Sequence, residues 1–110
     1  MKKVKVEALK EHGFSAVSLP EPEREITGVY IGDLLSWVMG RAKSGDAWIT
    51  IMSNINVLAV AALADTACVI AAEGVEIAED IVISAEEKGI NILSFSGSAY
   101  DAAVLLYKLI

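Results

Sequence analysis

The chain has 110 residues with 9 Lys and Arg against 15 Asp and Glu, a net charge of −6, and 55% hydrophobic residues. A chain this long holds one core and not two, and a negative field that no basic cluster interrupts argues against nucleic acid and anionic membrane surfaces as partners. The apolar share exceeds the roughly 45–50% of an ordinary globular protein, so some apolar surface is expected to find no internal partner.

Residues 4–12 read as a short helix with Val4, Ala8 and Leu9 on one side, although the alternation of Val4, Val6 and Ala8 also suits a strand. This start lacks the long apolar stretch and small-residue cleavage site of a signal peptide, so a cytoplasmic location is expected. Phe14–Leu19 reads as a strand, and Pro20–Glu25 as a charged connector whose two prolines bar regular pairing. Ile26–Ile31 is the next strand. Gly32 and Asp33 then turn the chain, with Asp33 suited to cap a short helix LLSWVM that stops at Gly40. A turn over Lys43–Asp46 leads to the strand Ala47–Met52, with Trp48 expected in the core, and Ser53 is the natural N-cap for a helix over Asn54–Ala64.

Ala67–Ala72 is the fourth strand, and its Cys68, the sole cysteine, is expected to be an inert buried hydrophobe in a reducing compartment. Residues 55–74 come nearest to a membrane span, but Asp65 would stand in mid-bilayer at a cost of about 2.5–3.5 kcal/mol, which favours a buried helix, a turn and a strand. Glu73–Glu76 connects to an amphipathic helix over Ile77–Lys88, with Ile77, Ile81 and Ala85 inward, Glu79, Glu86 and Glu87 outward, and Gly89 as its end. Asn91–Phe95 is the last strand, and Ser98 with Asp101 forms a capping box for a terminal helix through Leu109.

Strand-like and helix-like runs that alternate at nearly even spacing predict a single α/β domain, a three-layer α/β/α arrangement on a mainly parallel sheet of about five strands. Such a sheet gathers the carboxyl ends of its strands on one edge. The candidate ligand-binding residues there are Gly32, Asp33, Ser53, Asn54, Glu73, Gly74, Ser96, Gly97 and Ser98. Amides at the helix starts could receive a nucleotide or another small anion, with Gly97 permitting close approach. The same residues also serve as plain caps and turns, and Asp33 and Glu73 would repel an anion. Two helices, over residues 55–64 and 99–110, are apolar nearly all round and should be covered on both sides. A second copy in a C2 dimer is the expected cover, with Tyr100, Val104 and Tyr107 as the candidate interface.

Catalytic chemistry finds little support. A kinase needs a phosphate-cradling loop such as G-x-x-x-x-G-K-[ST], and none is present. His12 and Cys68 are single residues without ligand spacing, and acidic residues near helix starts are more often solvated, so neither metal nor cofactor is expected. Ser53, Ser94, Ser96 and Ser98 have no partnering base and no G-x-S-x-G elbow, so they read as turn and cap residues.

The runs ITGVYIGDLL and KSGDAWITI resemble the N-terminal domains of HPr kinase and of the Mur ligases, in which an I-T-G-V strand precedes a glycine-aspartate turn and another strand. The later run VIAAEGVEIAEDIVISAEEKGINILSFSGSAYDAAVLLYKL is similar to the corresponding end of the DRTGG domain, so nearly the whole chain resembles a stand-alone DRTGG-domain protein. That resemblance implies a regulatory, non-catalytic module, with free-standing members accessory to a hydrogenase or another metabolic enzyme system, and a protein partner. The family's Asp-Arg pair corresponds to Ser53 and Asn54, and its Thr-Gly-Gly to Ala72, Glu73 and Gly74. Only the last glycine is kept, and the arginine that could contact an anion is absent.

Overall fold

The computed structural model describes residues 3–110. Its main sheet is built from β2 (Ser15–Ser18), β4 (Gly28–Ile31), β5 (Asp46–Thr50), β6 (Cys68–Ala71) and β7 (Ile92–Ser94), in the order β2-β7-β6-β5-β4. The four strands β4 to β7 run parallel, and β2 pairs antiparallel with β7. Every residue of β5 and of β6 is buried. That is the pattern of central strands covered on both faces, and it explains why their sequences show no polar alternation.

The two faces bury different sets of side chains. Ala47, Ile49, Ile70 and Leu93 pack with the 3₁₀ helix Val6–His12 and with α4 (Ala99–Leu109), through Leu9, Ala102 and Leu106. Trp48, Val69 and Ile92 pack against α1 (Leu35–Arg41), α2 (Asn56–Ala64) and α3 (Glu79–Lys88), through Val38, Leu58 and Ala85. The expected α/β/α layering around a mainly parallel five-stranded sheet is therefore present. Trp48 is fully buried, and its indole Nε1 donates to the Gly32 carbonyl at 2.9 Å.

Several local expectations need correction. The N-terminal stretch combines both readings: β1 (Val4–Lys5) pairs antiparallel with β3 (Glu25–Ile26), and the 3₁₀ helix follows. The strand expected over Ile26–Ile31 is split, because Ile26 pairs with Val4 while Gly28–Ile31 pairs with β5. Between them the Thr27 amide donates to the Gly45 carbonyl at 2.9 Å. α1 continues through Gly40 to Arg41 and ends at an extended Ala42, so Gly40 is an ordinary helical residue. Its N-cap is Leu34 and not Asp33. α2 starts at Asn56, two residues later than expected, and Ser53 does not cap it; the Asn54 side chain accepts from the Asn56 amide instead. α3 likewise starts at Glu79, after Ala78. The other two caps follow the sequence, since Gly89 closes α3 at φ 74° and Ser98 Oγ accepts from the Asp101 amide at 3.0 Å.

The connector PEPERE pairs with the N-terminal stretch at its far end, where Glu25 faces Lys5 and the carbonyls of Pro22 and Arg24 accept from the amides of Glu7 and Val6, and at Glu21 it is held by one buried side chain. Asn91 accepts from the Glu21 amide at 2.9 Å, and its Nδ2 donates to the carbonyls of Glu21 at 2.7 Å and Ala67 at 3.0 Å. This amide group substitutes for a strand partner where the prolines forbid one.

Candidate functional site

The four parallel strands deliver their carboxyl ends to one edge of the sheet, and hydrogen bonds sort the loops there into two groups. At the ends of β4 and β5, Asp33 Oδ1 accepts from Thr50 Oγ1 at 2.8 Å and from the Ile51 amide at 2.9 Å, while the Gly32 amide donates to the Ile49 carbonyl at 3.2 Å. Asp33 thus ties two strand ends together. At the ends of β6 and β7, the Glu73 amide donates to Gly97 at 2.8 Å and the Gly74 amide to Phe95 at 3.0 Å. Ser53 and Asn54 join neither group by a hydrogen bond, and the space beside them amounts to about 10 Å³, too small for a ligand.

These contacts decide what the edge offers chemically. The amides of Gly32, Ile51, Glu73, Gly74 and Asp101 already have acceptors within the chain. Asp33 and Glu73 bring negative charge to the same edge, which disfavours an incoming phosphate. Glu73 has φ 63° and Gly74 φ 70°. Residue 73 therefore holds a left-handed conformation that costs a non-glycine side chain of order 1 kcal/mol or more. Position 73 is also where the resemblance puts the first glycine of Thr-Gly-Gly, and the backbone there follows a path that favours glycine. Beside this loop, Gly74 and Ser96 border an open cleft of about 400 Å³ with Ser15, Glu76 and Ser94.

A second feature lies at β4, which is an edge strand of the sheet. Val29 and Ile31 share a face with α4, and together with Tyr30, Tyr100, Ala103, Val104, Tyr107 and Ile110 they line an apolar groove of about 600 Å³ that has no charged side chain in its lining. Tyr100 is 74% exposed and Tyr107 82% exposed. The expected interface residues Tyr100, Val104 and Tyr107 do stand together on one side of α4. Sequence reasoning missed Val29 and Ile31, because nothing in ITGVYI marks it as an edge strand. α2 and its N-cap residue Ile55 are also less covered than the composition suggests, with Ile55 48% and Leu63 72% exposed.

The remaining reactive groups are placed as follows. Cys68 is fully buried in β6, and that burial pushes its thiol up to about 12, so it stays protonated and unreactive at neutral pH. His12 is exposed at the end of the 3₁₀ helix. Among the described residues no group of three or more His, Cys, Asp or Glu is arranged to hold a metal, and no helix is long and apolar enough to cross a membrane.

No family model matches the chain, and no curated protein matches it. Among solved structures it is similar to the CBS and DRTGG domains of the regulatory region of Clostridium perfringens pyrophosphatase, a crystal structure in complex with its activator diadenosine tetraphosphate. The TM-score is 0.76 at 15% sequence identity, and the match covers 94% of this chain and 46% of that one. The chain spans about half the length of that regulatory region, and the fold it has is that of a DRTGG-type domain.

Proposed function

We propose that the chain is a non-catalytic regulatory module that acts by contact with protein, in the manner expected of a DRTGG-type domain accessory to a hydrogenase or another metabolic enzyme system. One observation carries this reading: the apolar groove between β4 and α4 is open and lined by exposed tyrosines, while at the carboxyl edge of the sheet Asp33 and Glu73 bring negative charge and the amides of Gly32, Ile51, Glu73 and Gly74 already have acceptors within the chain. Exposed aromatic side chains beside apolar ones are the usual anchors of protein contacts.

A second reading is a sensor that binds a nucleotide or another small anion at Gly32, Asp33, Ser53, Asn54, Glu73, Gly74 and Ser96–Ser98. It is favoured by the solved relative's adenine-nucleotide activator and by the cleft beside Gly74 and Ser96. Thermal-shift titration with ATP and with diadenosine tetraphosphate separates the two. A ligand held at 100 times its Kd stabilises by about 2.7 kcal/mol, and for a domain of this size that raises Tm by about 10 °C. The contact reading expects no shift. A saturable shift abolished by Ser98→Ala replaces it with the sensor, and transfer of phosphate from ATP to a protein serine overturns both.

A further inference from the structure

The two edges of the main sheet are built differently. β2, at one edge, carries serines and an irregular register against β7 between Ala16 and Ser18. Irregularities of this kind twist an edge away from foreign strands. β4, at the other edge, pairs with β5 in unbroken register over Gly28–Ile31 and contains no charge and no proline. Its outer row of backbone groups is a template for another strand, and the apolar groove runs along one face of it.

We infer that this edge is occupied by the β4 strand of a second copy of the chain, antiparallel across a twofold axis perpendicular to the sheet, which joins two five-stranded sheets into one. The inference deepens the contact reading above and rests on it. Residues directly opposite in an antiparallel pair point to the same face, so the axis must pass through a residue and not between two. With the axis at Tyr30, Val29 of one copy faces Ile31 of the other. The same axis brings the α4 helices side by side and antiparallel. Tyr100, Val104 and Tyr107 follow a spacing of four and three residues along one stripe. Reversed on itself about a point between Ala103 and Val104, that stripe sets Tyr100 against Tyr107 of the other copy, and Tyr107 against Tyr100.

The area is sufficient. A covered tyrosine buries roughly 150–250 Å². At the exposures given above, the two tyrosines with Ile31, itself 50% exposed, and Val104 provide about 400 Å² per copy once these values are scaled. With the strand edges added, the contact reaches about 1,000 Å², the lower bound for a specific interface. No charged side chain lines the groove, so two copies of a chain at −6 can meet there without setting like-charged side chains in the lining against each other.

Sedimentation equilibrium of the full chain at about 100 μM, where a micromolar dimer is nearly saturated, is expected to give twice the 11.7 kDa chain mass. Tyr107→Glu and Ile31→Lys change exposed side chains and should leave far-UV circular dichroism intact while weakening association at least about tenfold. Tyr30→Cys should give a disulfide-linked dimer on mild oxidation, since Cys68 is buried and does not compete. A wild-type chain that is monomeric at this concentration overturns the inference, as does a dimer that survives both surface substitutions. A monomer that retains another protein through the same face removes the second copy but leaves the contact reading in place; a monomer that binds nucleotide and no protein removes both.

Discussion

Replacing Asn91 tests how the proline-containing connector is held. Its side chain is 3% exposed and makes three hydrogen bonds to main-chain groups of Glu21 and Ala67. Each intramolecular hydrogen bond contributes about 0.5–1.5 kcal/mol net, and more is lost when buried partners are left unsatisfied. Asn91→Ala deprives three such partners, and water can reach those of Glu21 near the surface, so a loss of about 3 kcal/mol is expected. For a domain of this length that lowers Tm by about 12 °C. Asn91→Asp is the sharper probe. It keeps the shape and can still accept from the Glu21 amide, but a carboxylate cannot donate to two carbonyls, and it adds a buried charge. It should be less stable than Asn91→Ala at pH 7 and recover in acid, where protonation restores one donor. Calorimetric melting at pH 4 and pH 7 reads both effects. If Asn91→Ala melts within about 4 °C of the wild type, roughly 1 kcal/mol, the three bonds of this side chain do not hold the connector, and its pairing with the N-terminal stretch suffices.

Three further outcomes follow from the fold. Gly45 has φ 86°, and an added Cβ would strike Thr27 Oγ1, so Gly45→Ala should destabilise by at least about 2 kcal/mol in denaturant melts. The Asp65 carboxyl is held below its ordinary value by a hydrogen bond from Ser44 Oγ and then by Arg24, so its stabilisation is present above its unfolded value and is lost as the pH falls below about 4. Arg24→Gln should remove part of that acid dependence in melts from pH 2 to pH 6, and an unchanged profile would contradict the pairing. Trp48 is buried while Trp37 is 54% exposed beneath the Arg41 guanidinium. Iodide should therefore quench only part of the native fluorescence, and Trp37→Phe should remove that part.

Much of this architecture was legible in the sequence. The buried runs AWIT and CVIA mark central parallel strands because both their faces are covered, and Gly89 and Ser98 end and begin helices by local geometry alone. The failures have a common cause. Asp33 and Ser53 look like caps because each stands just before a helix, but Asp33 is drawn across to Thr50 and Ile51 on the neighbouring strand, a contact set by the sheet and not by the helix. Ile26 and Val29 look like one strand, yet they pair with different partners that are far apart in the chain. At the candidate site, the tyrosines of α4 were visible as an unburied stripe. Val29 and Ile31 were not, since only the strand order reveals that β4 is an edge. The loops at the carboxyl ends are legible from the strand and helix pattern, but not the bonds of the Gly32, Glu73 and Gly74 amides to Ile49, Gly97 and Phe95, which the sheet alone sets.

Amide hydrogen exchange measured on the unmodified chain at two concentrations, about 1 μM and about 100 μM, bears most directly on the claim that this protein works through contact at the β4 edge. Amides of Val29–Ile31 that point away from β5, and the exposed side of α4 from Tyr100 to Tyr107, should exchange more slowly at the higher concentration, while the β2 edge stays unchanged. Equal exchange across β4 at both concentrations, or protection that arises at Glu73–Ser98 on adding nucleotide, would contradict it.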